Sequence, residues 1–178
     1  MKSKFSLWLM PPKDKNRRLK RHILDLSKRF ASPAFEPHVT LLGRLEGTEL
    51  ELRSNASILA SRLTPVVIQL EEVGYLNEYF RCLFIRVARS RSLLEAYERA
   101  VETFGADEQL KFMPHLSLVY ADLNKDAKLR AIQDIGASFN CRFLVRSIHL
   151  YSTTGSPENW YSTGQFALGK QPLARYCK

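Results

Sequence analysis

Two stretches of this 178-residue chain repeat one another, and the repeat constrains the fold more than any other feature. Residues 35–42 read Phe-Glu-Pro-His-Val-Thr-Leu-Leu, and residues 112–119 read Phe-Met-Pro-His-Leu-Ser-Leu-Val. Phe, Pro, His and Leu41/Leu118 are identical, Val39/Leu116 and Leu42/Val119 stay apolar, and Thr40 is matched by Ser117. Side chains alternate faces along a strand, so His38 and Thr40 point one way and Val39 and Leu41 the other. His115 and Ser117 separate from Leu116 and Leu118 in the same manner. Each copy thus sets an imidazole beside a hydroxyl and anchors itself through an apolar face. The proline before each histidine cannot donate a ladder hydrogen bond, which fits the start of a strand.

Both copies fall at equivalent places in a β-α-β-α-β pattern, the second carrying one more strand. The spacing predicts strands over about 4–10, 38–43, 66–73, 80–88, 115–120, 141–151 and 160–168. Leu19, Ile23, Leu26 and Phe30 recur at helical spacing, with Asp14 as N-cap and Pro33 and Pro37 beyond the end. Capping boxes at Thr48-x-x-Glu51 and Ser92-x-x-Glu95 open two further helices, the first ending at Thr64-Pro65 and the second at Gly105. A fourth helix spans about 125–135 and ends near Gly136. No linker divides residues 1–178, so a single domain is expected. The loops are too short for parallel crossovers throughout, which gives an α+β fold with two mainly antiparallel sheets and helices on their outer faces. The duplication implies two lobes related by an approximate twofold axis, with a central cleft.

Composition narrows the class. Apolar residues make up 45% of the chain and charged residues 25%, which excludes a disordered tail, a collagen-like repeat and a membrane protein. The apolar run Phe5–Met10 is too short for a signal-peptide core, and nothing approaches the roughly 18 apolar residues of a membrane span. The three cysteines, Cys82, Cys141 and Cys177, are odd in number and lack CxxC spacing; they fit a reduced cytoplasm and form no metal framework. Cys177 is expected in an exposed tail. The net charge of +9 implies an anionic partner, such as RNA, a nucleotide phosphate or an acidic surface.

If the lobes face each other, two imidazoles and two hydroxyls meet in a cleft without carboxylates. An imidazole of ordinary pKa near 6.5 accepts a proton when neutral and donates one when charged, so the pair suits acid–base cleavage of a phosphate ester with a pH optimum around neutrality. The hydroxyls can hydrogen-bond to non-bridging phosphate oxygens as charge builds in the transition state. Such a site needs no metal and no cofactor.

His38-Val39-Thr40-Leu41 and His115-Leu116-Ser117-Leu118 resemble the paired motifs of the 2H phosphoesterase superfamily, and the likeness spans most of the chain. Phe5-Ser6-Leu7-Trp8, Pro11-Pro12 and Tyr120 make it most similar to the cyclic phosphodiesterase branch. That resemblance implies a bilobal α+β fold and hydrolysis of a 2',3'-cyclic nucleotide, or of ADP-ribose 1'',2''-cyclic phosphate, to a phosphomonoester. It implies His38 and His115 as acid and base, Thr40 and Ser117 as phosphate ligands, Tyr120 as a phosphate or ribose contact, and Phe80 as an aromatic at the cleft mouth. RNA ends bearing a 2',3'-cyclic phosphate are the alternative substrate, and a non-catalytic nucleotide- or RNA-binding module is the alternative function. The expected species is a monomer.

Other residues have weaker claims. Trp8 shares a strand face with Ser6 and Met10, which suits either a cleft wall that stacks on a base or core packing. Phe80 alone fits the core as well. His22 belongs to the solvated face of the first helix, and His149 to a structural or surface position. Lys13, Lys15, Arg17, Arg18, Lys20 and Arg21 form a solvated helix face or a path for RNA phosphates.

Overall fold

Residues 4–106 and 112–169 are described by a computed structural model; Cys177 lies outside them. The strands are β1 (Lys4–Leu9), β2 (Val39–Glu46), β3 (Val66–Tyr75), β4 (Leu83–Val87), β5 (His115–Val119), β6 (Ser138–Val145), β7 (Ser147–Ser152) and β8 (Tyr161–Ala167). The helices are α1 (Lys13–Phe30), α2 (Glu49–Arg62), α3 (Arg91–Phe104) and α4 (Lys125–Ile135), with 3-10 turns at Tyr79–Arg81 and Pro157–Asn159.

All strand pairs are antiparallel, in the order β6-β3-β4-β5-β2-β1-β7-β8. The order is a palindrome about the β5–β2 boundary, so β1-α1-β2 corresponds to β4-α3-β5 and each motif opens the second strand of its unit. The two four-stranded halves join through β2 and β5, where Val39 faces Leu116. The lobes are not the two halves of the sequence. Strand β3 sits beside β4 in the second lobe, while β7 and β8 return to flank β1 in the first.

The expected strand over 141–151 is therefore two strands. The chain leaves β6 at Val145 and enters β7 at Ser147, passing from one lobe to the other at Arg146. Apolar alternation runs through this point without Gly or Pro, which hides the break in the sequence.

Helix boundaries follow local chemistry, with two corrections. The Thr48/Glu51 capping box is present in full, and Gly105 closes α3 with φ 58°. Asp14 is not the cap of α1, because Pro12 takes that place in extended conformation and Asp14 falls in the first turn, where a carboxylate meets the helix dipole. Ser92 does not open α3. Ser90 is the N-cap, accepting from Leu93 N, and Ser92 Oγ instead accepts from Val67 N, tying the helix to β3.

Core packing crosses the lobes. Helix α1 buries Leu19, Ile23 and Leu26 and lies against β5, while α3 buries Leu93, Ala96 and Ala100 and lies against β2. Each helix thus backs the motif strand of the opposite lobe, fixing from behind the face that carries the histidines. Val39 and Leu116 are fully buried at this junction. Leu116→Ala should cost about 2–5 kcal/mol of stability in urea unfolding; a loss below about 1 kcal/mol would show that the junction is not what joins the lobes.

Candidate active site

The single pair Val39–Leu116 sets the geometry of the site. Continuing that antiparallel register by one residue either way puts His38 opposite Ser117 and Thr40 opposite His115. Directly opposed side chains have Cβ atoms about 5 Å apart, so two imidazoles and two hydroxyls form one tight group on the concave face. Trp8 pairs with Thr40 on one side and His149 on the other, and Arg86 pairs with His115, extending the row across both lobes.

Both imidazoles are held alike. His38 Nδ1 lies 2.6 Å from Glu36 O, and His115 Nδ1 lies 2.8 Å from Met113 O. A carbonyl can only accept, so the proton sits on Nδ1 in each case, and the neutral ring keeps Nε2 as a bare acceptor. The backbone two residues upstream therefore orients each ring, a consequence of the shared x-Pro-His geometry.

Burial makes the rings poor bases. Desolvation pushes His38 down to about 4; the Glu36 carbonyl opposes the fall and the neighbouring His115 adds to it. His115 is also lowered, first by desolvation; its Met113 hydrogen bond opposes the shift, Arg81 deepens it and Glu78 offsets it. Tyr120 is raised by burial, with the Ser117 hydroxyl beside it acting in the other direction.

A cleft of about 1090 Å³ opens over this group. His38, Thr40, His115, Ser117, Tyr120, Phe80 and Trp8 all line it, so every candidate site residue named from the sequence is brought to one place. The expectation of a cleft without carboxylates is corrected, because Glu46 and Glu78 also line it. Glu78 accepts from Arg81 Nε at 2.8 Å, close enough to His115 for both charges to act on its pKa.

Trp8 is a correction of another kind. Its indole stacks on His38 at 3.6 Å with an 8° interplanar angle and on Tyr151 at 3.8 Å, and it is 1% exposed. No face remains for a base, and the ring instead packs His38 in place. Phe80 is not in a strand but on the 3-10 turn, 52% exposed at the cleft mouth. Its carbonyl accepts from Ser117 Oγ at 3.1 Å, and its ring lies near Tyr120 and Trp160. Tyr120 is buried against Phe35, with ring centroids 3.9 Å apart.

Tyr79, Arg81 and Trp160 also line the cleft, and the sequence patterns do not single them out. The pair Trp160-Tyr161 after Gly155 is the available signal for Trp160, whose Nε1 donates to Gly155 O. His22 is half-buried with an edge contact to Phe139 rather than solvated, while His149 lies near Ser147 Oγ in a structural position. Lys20 of the basic helix pairs with Glu36.

Known proteins agree with this architecture. Crystal structures of LigT from E. coli in apo form (17% identity, TM-score 0.68, covering 95% of this chain and 99% of that one) and of TT0787 from Thermus thermophilus (16%, 0.64, 95% and 100%) share the fold. A curated relative, "Cyclic phosphodiesterase" from Arabidopsis thaliana, is 28% identical over 130 residues, 73% of this chain and 72% of that protein. The match to a family model over residues 1–168 places the chain among the 2H phosphoesterases. It belongs to the cyclic phosphodiesterase-like protein family, whose pattern it matches over residues 1–168, and is a phosphodiesterase by class.

The His38 shift has a measurable consequence for stability. The unfolded chain takes up this proton near pH 6.5, the folded protein only near 4. Stability from this group is therefore complete above 6.5 and drains as pH falls towards 4, by roughly 3 kcal/mol at about 1.36 kcal/mol per unit. His38→Asn keeps a donor for Glu36 O but does not titrate. Its unfolding free energy should fall less steeply between pH 6.5 and 4 than that of the wild type; parallel pH profiles would contradict the buried neutral imidazole.

Proposed function

We propose that the protein hydrolyses a small cyclic phosphate, a 2',3'-cyclic nucleotide or ADP-ribose 1'',2''-cyclic phosphate, to a phosphomonoester by two-histidine acid–base catalysis. The observation that carries this reading is the cross-strand arrangement of His38, Ser117, Thr40 and His115 about one point of the cleft. Membership of the cyclic phosphodiesterase-like family supports the reaction class. LigT, which shares the fold, has been crystallised with 3'-AMP, with ATP and with NADP+, which supports a nucleotide-sized ligand.

In this mechanism one imidazole takes a proton from water through its bare Nε2 as the water oxygen attacks phosphorus. The partner imidazole, protonated, gives its Nε2 proton to the departing ribose oxygen as the P–O bond breaks. Thr40 and Ser117 hydrogen-bond to the non-bridging oxygens. The Ser117 hydroxyl has one proton, now donated to Phe80 O, so an anion must compete for it. Phe80 and Trp160, at the mouth, offer aromatic surface to a base. The unpaired Cys82 and Cys141 accord with a cytoplasmic setting.

Turnover by His38→Ala and by His115→Ala should fall by orders of magnitude with the fold intact. Thr40→Ala and Ser117→Ala should lose about tenfold to a thousandfold each, the range for an oxyanion donor. Assays against 2',3'-cyclic mononucleotides, ADP-ribose 1'',2''-cyclic phosphate and an RNA oligomer ending in a cyclic phosphate assign the substrate. Appreciable activity in the double histidine variant would overturn the mechanism.

The pH dependence departs from the neutral optimum expected of ordinary histidines. The base must be neutral, so activity falls as pH drops through its pKa; the acid must be charged, so activity falls as pH rises through its own. Both free imidazoles lie below 6.5, which puts the kcat/KM optimum below 6.5. A bound phosphate anion raises both values, so the kcat optimum should lie at higher pH than that of kcat/KM. Coincident profiles, or profiles flat between about pH 5 and 9, would contradict the scheme.

A further inference from the structure

Lys128 is the one buried Lys, Arg, Asp or Glu side chain among the described residues, 2% exposed. It lies on α4, outside the cleft and away from both motifs. Its Nζ donates to Leu76 O at 2.9 Å and to Asn77 Oδ1 at 3.0 Å, and it sits 5.8 Å from the Tyr75 ring centroid. Removing a lysine from water is costly, and a side chain so placed is held by what it bonds to. Here those partners belong to the segment that joins β3 to β4.

That segment is a small closed platform. Leu76 N donates to Arg81 O and Arg81 N donates to Glu78 O, both at 3.0 Å, so residues 76–81 fold back on themselves. Lys128 secures the platform where it leaves β3, and its charge reaches Cys82 where the platform enters β4. Three features of the cleft come from this one segment. Phe80 O accepts the Ser117 hydroxyl, Tyr79 and Phe80 form aromatic wall at the mouth, and the Arg81–Glu78 pair faces His115.

We propose that Lys128 is a positioning residue that pins the 76–82 platform from behind, fixing its aromatic wall and the Phe80 carbonyl that anchors Ser117. Substrate recognition then depends on a lysine that never touches substrate. When an anion draws the Ser117 proton away from Phe80 O, the platform loses a tie on the cleft side and the Lys128 bonds keep it in register. The inference rests on the cyclic phosphodiesterase reading for what the platform serves, but not for the pinning itself.

Lys128→Met keeps the aliphatic stem and removes the donors. Its KM for a 2',3'-cyclic nucleotide should rise about tenfold or more, the scale of a lost hydrogen bond from a charged group, with a smaller change in kcat. Amide hydrogen exchange at Leu76 and Arg81 should quicken, while amides of β1, β2 and β5 stay as in the wild type. Asn77→Ala removes one partner without disturbing the buried helix face and should move both readouts in the same direction by less. It decides the matter if Lys128→Met does not unfold cooperatively. Unchanged KM and unchanged exchange over 76–82 would overturn the proposal, and so would faster exchange spread evenly over the sheet. A wild-type protein that cleaves none of the cyclic phosphates would defeat the functional reading instead, leaving the exchange pattern to decide the pinning.

Discussion

The register between β2 and β5 is the constraint on which the rest depends. One cross-strand pair, Val39 with Leu116, joins two four-stranded halves and decides which side chains meet on the other face. A slip of either strand by one residue would turn that strand's histidine into the core and its apolar partners into the cleft. The helices guard against that shift, since α1 and α3 each pack behind the motif strand of the opposite lobe. Exchange of β3 and β7 between the lobes binds the halves further, so neither can move without carrying part of the other's sequence.

From that register follows an electrostatic tension. The group is concave and partly sealed by Trp8, Phe35 and Tyr120, so an imidazolium there lacks the water that would stabilise it. Backbone carbonyls of Glu36 and Met113 orient the rings and offset only part of the penalty. The free site therefore favours two neutral rings, and in the proposed mechanism an arriving phosphate would supply the negative charge that makes protonation of one of them favourable. On that mechanism, anion binding and the preparation of the acid would be a single event.

Much of this is legible in the chain, for physical reasons. The repeat defines the strand face, because alternation is a property of the backbone and both copies obey it. Thr48 with Glu51 marks a helix start because its hydrogen bonds are local. What escapes depends on distant packing. Trp8 fits wall or core equally well until His38 and Tyr151 are seen to cover it. Arg146 carries no turn signal, yet the chain changes lobe there. Lys128 does leave a trace, since it shares a helix face with Ala131 and Ile132 at the i+3 and i+4 positions, where an apolar residue is the norm. The +9 charge explains least: Lys20 and Arg29 of α1 pair with Glu36 and with Asp134 of α4, while the four side chains at the junction add nothing to that count.

In the proposed mechanism His38 and His115 present bare Nε2 atoms to one anion. Long-range 1H–15N spectra of the imidazoles, recorded across pH with and without 3'-AMP, read this arrangement out. In the free protein at neutral pH both rings should carry their proton on Nδ1. On adding the nucleotide, both histidines should titrate at higher pH together. An Nε2–H tautomer in either free ring, or a response from only one of the two, would contradict it.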